Sequence, residues 1–144
     1  MALKVELKPG ERILIGECVV TNGAHRARFL VEGKTPILRE KDIMTAQQAD
    51  TPAKRIYLAV LLMYTSRDAR EYHGTYFALV SDLVRAVPSA WPQIEIINNH
   101  ILTGDMYKAL KEAKKLITYE QELLGNEEGR TDLRKRGKAN LQPA

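Results

Sequence analysis

The sequence predicts an α+β protein: a small N-terminal antiparallel β-sheet followed by a helical region of about four helices. Three observations carry this. Apolar residues alternate with polar ones through the first forty positions; from Thr51 onward they recur every three or four residues; and the change falls at an abrupt charged cluster, Arg39-Glu40-Lys41-Asp42. At 144 residues the chain has the length of one domain. Its expected division is a β unit over 1–43, a helical unit over 45–125 and a flexible basic tail over 126–144.

In the β unit, Leu3, Val5 and Leu7 alternate with Lys4, Glu6 and Lys8, so one strand face is apolar and the other charged. Pro9-Gly10 turns the chain. "RILIG" and "ECVV" form a second apolar, β-branched stretch, and Asn22-Gly23 has the composition of a tight hairpin turn, because both residues tolerate positive φ. "RARFLVEG" reads as the return strand, with Ala27, Phe29 and Val31 on one face and Arg26, Arg28 and Leu30 on the other. A short strand, "ILR", precedes the charged cluster. These segments give one antiparallel sheet of four or five short strands.

Thr51-Pro52 opens the helical unit: threonine offers an N-cap oxygen, and proline at the first helical position lacks only an N–H that would have no partner. "AKRIYLAVLLMY" is apolar nearly all round, which predicts a central, buried helix. A second helix falls within 67–87, with Gly74 obscuring its start and Pro88 ending it. Ser89 opens a third carrying Trp91, Ile94, Ile97 and Ile101, and Thr103 or Asp105 caps a fourth. In the fourth, Met106, Leu110, Ala113, Ile117 and Leu124 make the apolar stripe, Lys108 and Glu112 can pair across a turn, and Gly125 closes the helix. The remainder holds only two leucines and is expected to be a mobile tail.

Composition, 44% hydrophobic and 28% charged, is that of a soluble globular protein. No apolar run is long enough to span a membrane and no signal-peptide core is present, so the expected compartment is the cytoplasm. A lone cysteine, Cys18, agrees with a reducing environment and reads as a small hydrophobe inside a strand. The net charge of +4 is unevenly spread: eight basic residues against six acidic in 1–43, nine of each in 44–124, and five against three in 125–144. An anionic partner would therefore meet the ends of the chain.

No phosphate-cradling or dinucleotide-binding glycine loop occurs, and His25, His73 and His100 lie far apart with no ligand-spaced carboxylate or cysteine. No enzyme activity, cofactor or metal is expected. Tyr57, Tyr64, Tyr72, Tyr76 and Trp91 fall at helical spacings, which favours packing over base stacking. Lys4, Arg26 and Arg28 can form a positive strand surface, and the basic tail fits either unspecific RNA attraction or a solubilising end. By composition alone, "REKD" is a turn cluster whose charges nearly cancel.

"LKVELKPGERILIGECVVTNG", "LREKDIM" and "TPAKRIYLAVLLMY", in that order, resemble the FlbT family of flagellin regulators, from Leu3 to about Leu124. The resemblance implies post-transcriptional control of flagellum synthesis through the leader of flagellin messenger RNA, with altered translation or lifetime. It also implies bacteria that use a partner called FlaF. The alternative comes from the helical unit, uncharged on balance and rich in aromatic and aliphatic residues: an adaptor or chaperone-like module for flagellin or FlaF, regulating indirectly. Within residues 3–43, "GE", "LIG", the Asn/Gly turn and "ILREKDI" also resemble the carbon storage regulator CsrA, whose last strand carries an RNA-binding arginine. By position that arginine is Arg39, with Lys4, Arg26, Arg28 and Lys41 as expected phosphate contacts, and a homodimer stays open. The charged cluster would then be the end of an RNA-reading edge strand.

Overall fold

The structure, a computed structural model, describes the backbone of residues 2–137 and the side chains of residues 2–125. Five strands come first: β1 (Ala2–Leu7), β2 (Arg12–Ile15), β3 (Cys18–Thr21), β4 (Ala27–Glu32) and β5 (Ile37–Arg39). They form two small sheets instead of the expected single one. β1 pairs antiparallel with β4, and β2 lies between β3 and β5 in an antiparallel sheet ordered β3-β2-β5. The physical reason is the distribution of apolar residues. β1 and β4 each bury one face, through Val5, Leu7, Phe29 and Val31, and these close over Ile13, Ile15 and Ile37 of the second sheet. β2 is apolar on both faces, so it can be covered twice: Ile13 and Ile15 face the first sheet, while Leu14 and its cross-strand partner Leu38 face the helices.

The tight hairpin also differs in place. Asn22-Gly23 does not join paired strands; the two-residue turn is Gly16-Glu17, between the Ile15 and Cys18 partners of β2 and β3. Gly16 has φ +62° while Glu17 does not have positive φ, the pattern of a type II′ turn. The Asn22 amide is used otherwise. Its Nδ2 donates to the carbonyls of Lys8 and His25, both at 2.8 Å, tying the β1–β2 turn to the β3–β4 loop. β3 is exposed along its whole length, so Cys18 is a surface thiol and not the buried hydrophobe expected. Leu3, at the open end of β1, is half-exposed as well.

α1 (Pro52–Thr65) begins as the sequence predicts, with the Thr51 hydroxyl accepting from the Lys54 N–H at 3.2 Å. A second acceptor comes from far along the chain, since Glu120 Oε2 takes the Ala53 N–H at 2.9 Å. α1 is central: Ile56, Tyr57, Val60 and Met63 are fully buried among α2 (His73–Ala86), α3 (Trp91–Leu102) and α4 (Met106–Gly137). Single 3-10 turns at Glu40–Asp42, Ala69–Tyr72 and Pro88–Ala90 lead into the helices. Asp105, not Thr103, caps α4, accepting from the Lys108 N–H at 3.3 Å. Lys108 pairs with Asp105 and Glu112 with Lys115, instead of with each other.

α4 does not stop at Gly125. Its backbone stays helical to Gly137, because a glycine costs a helix only about 1 kcal/mol relative to alanine and does not break it. The helix therefore takes up part of the expected tail 126–144, whose side chains lie outside the described residues. Sheet and helices share a core, with Leu38 of β5 only 1% exposed inside the helical cluster.

Candidate nucleic-acid interface

Arg39 is positioned by a clamp on the strand that carries it. Strand pairing satisfies β5 on its β2 side, and Tyr64 of α1 satisfies the opposite edge: its hydroxyl donates to the Ile37 carbonyl at 3.1 Å and receives the Ile37 N–H at 3.3 Å. Burial and the neighbouring Tyr107 raise the Tyr64 phenol above its ordinary value of 10, so it stays a neutral donor. The next turn is held by α1 and α4, through a Tyr57 hydroxyl bond to the Asp42 carbonyl and a Lys114–Asp42 ion pair. Arg39 shares the face of Ile13, its cross-strand partner, and that face looks toward β1. Its Nη2 donates to the Glu6 carbonyl at 3.2 Å and lies 3.5 Å from Glu11 Oε2, with half the side chain in solvent.

The structure brings the other expected residues to the same end of the molecule. Glu6 and Arg28 are cross-strand partners, and Arg26 and Arg28 both reach the Glu6 carboxylate, at 2.5 and 3.7 Å. The Arg26 hydrogen bond, with the charge of Arg28 and a smaller contribution from Arg39, holds that carboxyl below its ordinary value. Glu11 is lowered mainly by the Lys8 N–H, with Arg39 adding to it. Lys4 lies two residues before Glu6 on the same strand face. Lys4 and Lys41 have no carboxylate partner among the described residues, and both line cavities that Arg39 also lines. The arginines are thus already paired with carboxylates, Glu6 half-open to solvent and Glu11 largely covered, and the lysines carry the uncompensated charge. The pairs of Arg26 and Arg28 with Glu6 are open to solvent and therefore weak, so a phosphate can replace that carboxylate at little cost.

Two adjoining cavities run along the seam of sheet and helices, of about 410 Å³ beside β1 and β5 and about 230 Å³ beside α4. They share Arg39, Asp42 and Tyr107. Tyr107 stands against Tyr64 with ring centres 5.8 Å apart, and the Lys111 ammonium sits 4.8 Å from the Tyr107 ring centre. Sequence reasoning missed Tyr107, Lys111 and Lys114. Their spacing of four and then three does place them on one helical face, but nothing local shows that this face meets β5 about seventy residues earlier. Among the described residues no group of three or more metal-ligating side chains converges.

The family model described as flagellar protein FlbT matches residues 3–124. The chain belongs to the FlbT family. A probable flagellum biosynthesis repressor protein FlbT 1 of Bradyrhizobium diazoefficiens is 62% identical over 129 residues, covering 89% of this chain and 88% of that protein. A probable repressor of the same name in Rhodopseudomonas palustris is 53% identical over 124 residues, 86% of this chain and 98% of the relative. The flagellum biosynthesis repressor protein FlbT of Caulobacter vibrioides is 36% identical over 129 residues, 88% and 92% of the two chains. No solved structure matches the chain. The family match takes in Lys4, Arg26, Arg28, Arg39 and Lys41 of the N-terminal region, and Tyr107, Lys111 and Lys114 of α4 as well. Among the described residues, no helix is long and apolar enough to cross a membrane.

Proposed function

We propose that this chain is a non-enzymatic regulator of flagellum synthesis that binds the leader of flagellin messenger RNA and alters its translation or lifetime. The relatives' names make repression the expected direction. The observation that carries the reading is Arg39 itself: half-exposed, on a strand fixed from both edges, with Lys4 and Lys41 beside it and Arg26 and Arg28 one strand away. A guanidinium held this way can stack on a base and hydrogen-bond its edge, while the neighbouring lysines meet phosphates and set position without reading sequence. The CsrA-like order of the β unit supports the same assignment. Exposed Trp91, Ile96 and Leu102 on α3 favour the rival reading, a docking surface for flagellin or FlaF that regulates indirectly.

Nucleic-acid-free protein titrated with a flagellin leader and with a scrambled RNA tests the proposal. The expected result is tight, sequence-dependent binding that Arg39→Ala weakens by about 1–3 kcal/mol. Arg39→Lys should also impair it, because lysine keeps the charge but loses the planar fork. Binding to the leader by both variants at the parent's affinity would remove Arg39 from the site. Leader binding that appears only with a protein partner would favour the docking reading.

A further inference from the structure

We propose that the seam between β5 and α4 takes one unpaired RNA base, stacked on Tyr107, with Lys41 and Lys111 holding the phosphates that flank it. This rests on the RNA-binding reading above and extends the site from the sheet into the helical unit.

Four observations lead there. Tyr107 is 43% exposed although its neighbours Ala109 and Leu110 are buried, so its ring is presented to solvent at the mouth of both cavities. The ring is backed by Tyr64, whose own hydroxyl is fixed to β5, which makes the platform rigid before any ligand arrives. Lys111 lies over the ring with no carboxylate partner among the described residues, which marks that face as unpacked and places a cation where a flanking phosphate would run. Among the described residues, Asp42 is the only carboxylate lining either cavity, and Lys114 pairs with it. Lys4, Lys41 and Lys111, without carboxylate partners among the described residues, then leave the seam positive.

The magnitudes favour a base over the resident ammonium. A cation over an exposed ring is worth a roughly 2- to 5-fold preference, and a stacked base roughly 5- to 150-fold. The base displaces Lys111 from the ring, and the freed ammonium moves to phosphate. The cavity beside β1 and β5, of about 410 Å³ and within the size range of small-ligand pockets, roughly 300–1,000 Å³, takes the base against Tyr107, while Lys41 and Lys111 line the adjoining cavity along which the strand continues. A base within a duplex is stacked on its neighbours and cannot enter, so the ligand is single-stranded or looped RNA.

The test measures binding of the full chain to a short single-stranded RNA copied from a flagellin leader, and to the same strand annealed to its complement, across a salt series. Tyr107→Ala is expected to weaken single-strand binding roughly 5- to 150-fold while leaving the slope of log K against log salt unchanged. Lys111→Ala is expected to reduce that slope by about 0.7. Phe77→Ala, an exposed aromatic change away from the seam, should alter neither quantity. Tyr107→Ala should leave duplex binding nearly unchanged. If the parent binds the leader and both Tyr107→Ala and Lys111→Ala match it in affinity and slope, the seam assignment is wrong while the RNA reading stands. If the parent binds neither RNA, both fall.

Discussion

Leu38→Ala tests whether sheet and helices form one cooperative structure. Leu38 is 1% exposed, lies opposite Leu14 on β2, and belongs to the cluster built around α1. Its replacement removes buried methyl groups and leaves a hole between walls of different kinds. One wall is a strand held by its ladder and by Tyr64, and the other is a helix fixed by three neighbours, so neither can move in to fill the hole. Leu→Ala changes in cores cost about 2–5 kcal/mol, with the larger losses where collapse is poorest. A loss near 3 kcal/mol is expected here, which at roughly 2–4 °C per kcal/mol for a chain of this size lowers Tm by about 6–12 °C. The assay is urea unfolding followed by far-UV circular dichroism and by the fluorescence of Trp91 on α3. Both signals should shift together to lower denaturant with an unchanged slope. A loss below about 1 kcal/mol, or a Trp91 transition that stays in place while the far-UV transition moves, would refute the shared core.

Other outcomes follow from single contacts. Tyr64→Phe should cost about 1–3 kcal/mol, since it leaves the N–H and carbonyl of Ile37 without their partner in a half-buried site, and a double-mutant cycle with Leu38→Ala should show coupling. Glu120→Ala should destabilise by about 1 kcal/mol through loss of the Ala53 N–H acceptor at the start of α1, read by thermal melting against Glu122→Ala. Gly16→Ala should also destabilise, by about 1–2 kcal/mol, because φ is +62° and the added Cβ would lie 2.9 Å from Thr35 Cγ2; denaturant midpoints check it. The carboxyls of Glu6, Glu11 and Glu112 are held below 4.5, by Arg26, the Lys8 N–H and Gln93 respectively. Their folded-state values lie under their unfolded ones, so their contribution is present above 4.5 and is lost as pH falls through the depressed values. Melting curves between pH 6 and pH 3, at about the span where carboxylates titrate, should show a weaker pH dependence in Glu112→Gln.

Features set by neighbours in the chain were legible in the sequence. Thr51-Pro52 makes a helix start whatever surrounds it, and the alternation of Ala27, Phe29 and Val31 with Arg28 and Leu30 fixes the faces of β4. The tight hairpin was not legible at its place, since only Asn22-Gly23 has the composition for it and "RILIG" and "ECVV" read as one apolar stretch. Asn22 gains three carbonyl acceptors in the loop, whereas Gly16 allows the tight turn that leaves Leu14 facing Leu38. Part of the site was legible because strand periodicity puts Lys4 with Glu6, and Arg26 with Arg28. Tyr107 and Lys111 were not, because the tertiary fold alone brings α4 to β5. Tyr107 falls outside the apolar stripe of α4 and shares its face with Lys111 and Lys114, and its exposure sets it apart from the buried Tyr57 and Tyr76.

The phenol of Tyr64 has one more consequence, for growth of the sheet. An edge strand offers unpaired backbone groups to any passing strand. On β5 the groups of Ile37 are occupied by a side chain, and the ring that delivers the hydroxyl stands where another backbone would have to lie. At the opposite margin, β3 has no such cover and exposes Val19 and Val20. The three-stranded sheet is therefore sealed on the side that carries Arg39 and open on the other. A strand from a second molecule could join it only beside β3, on the side away from Arg39.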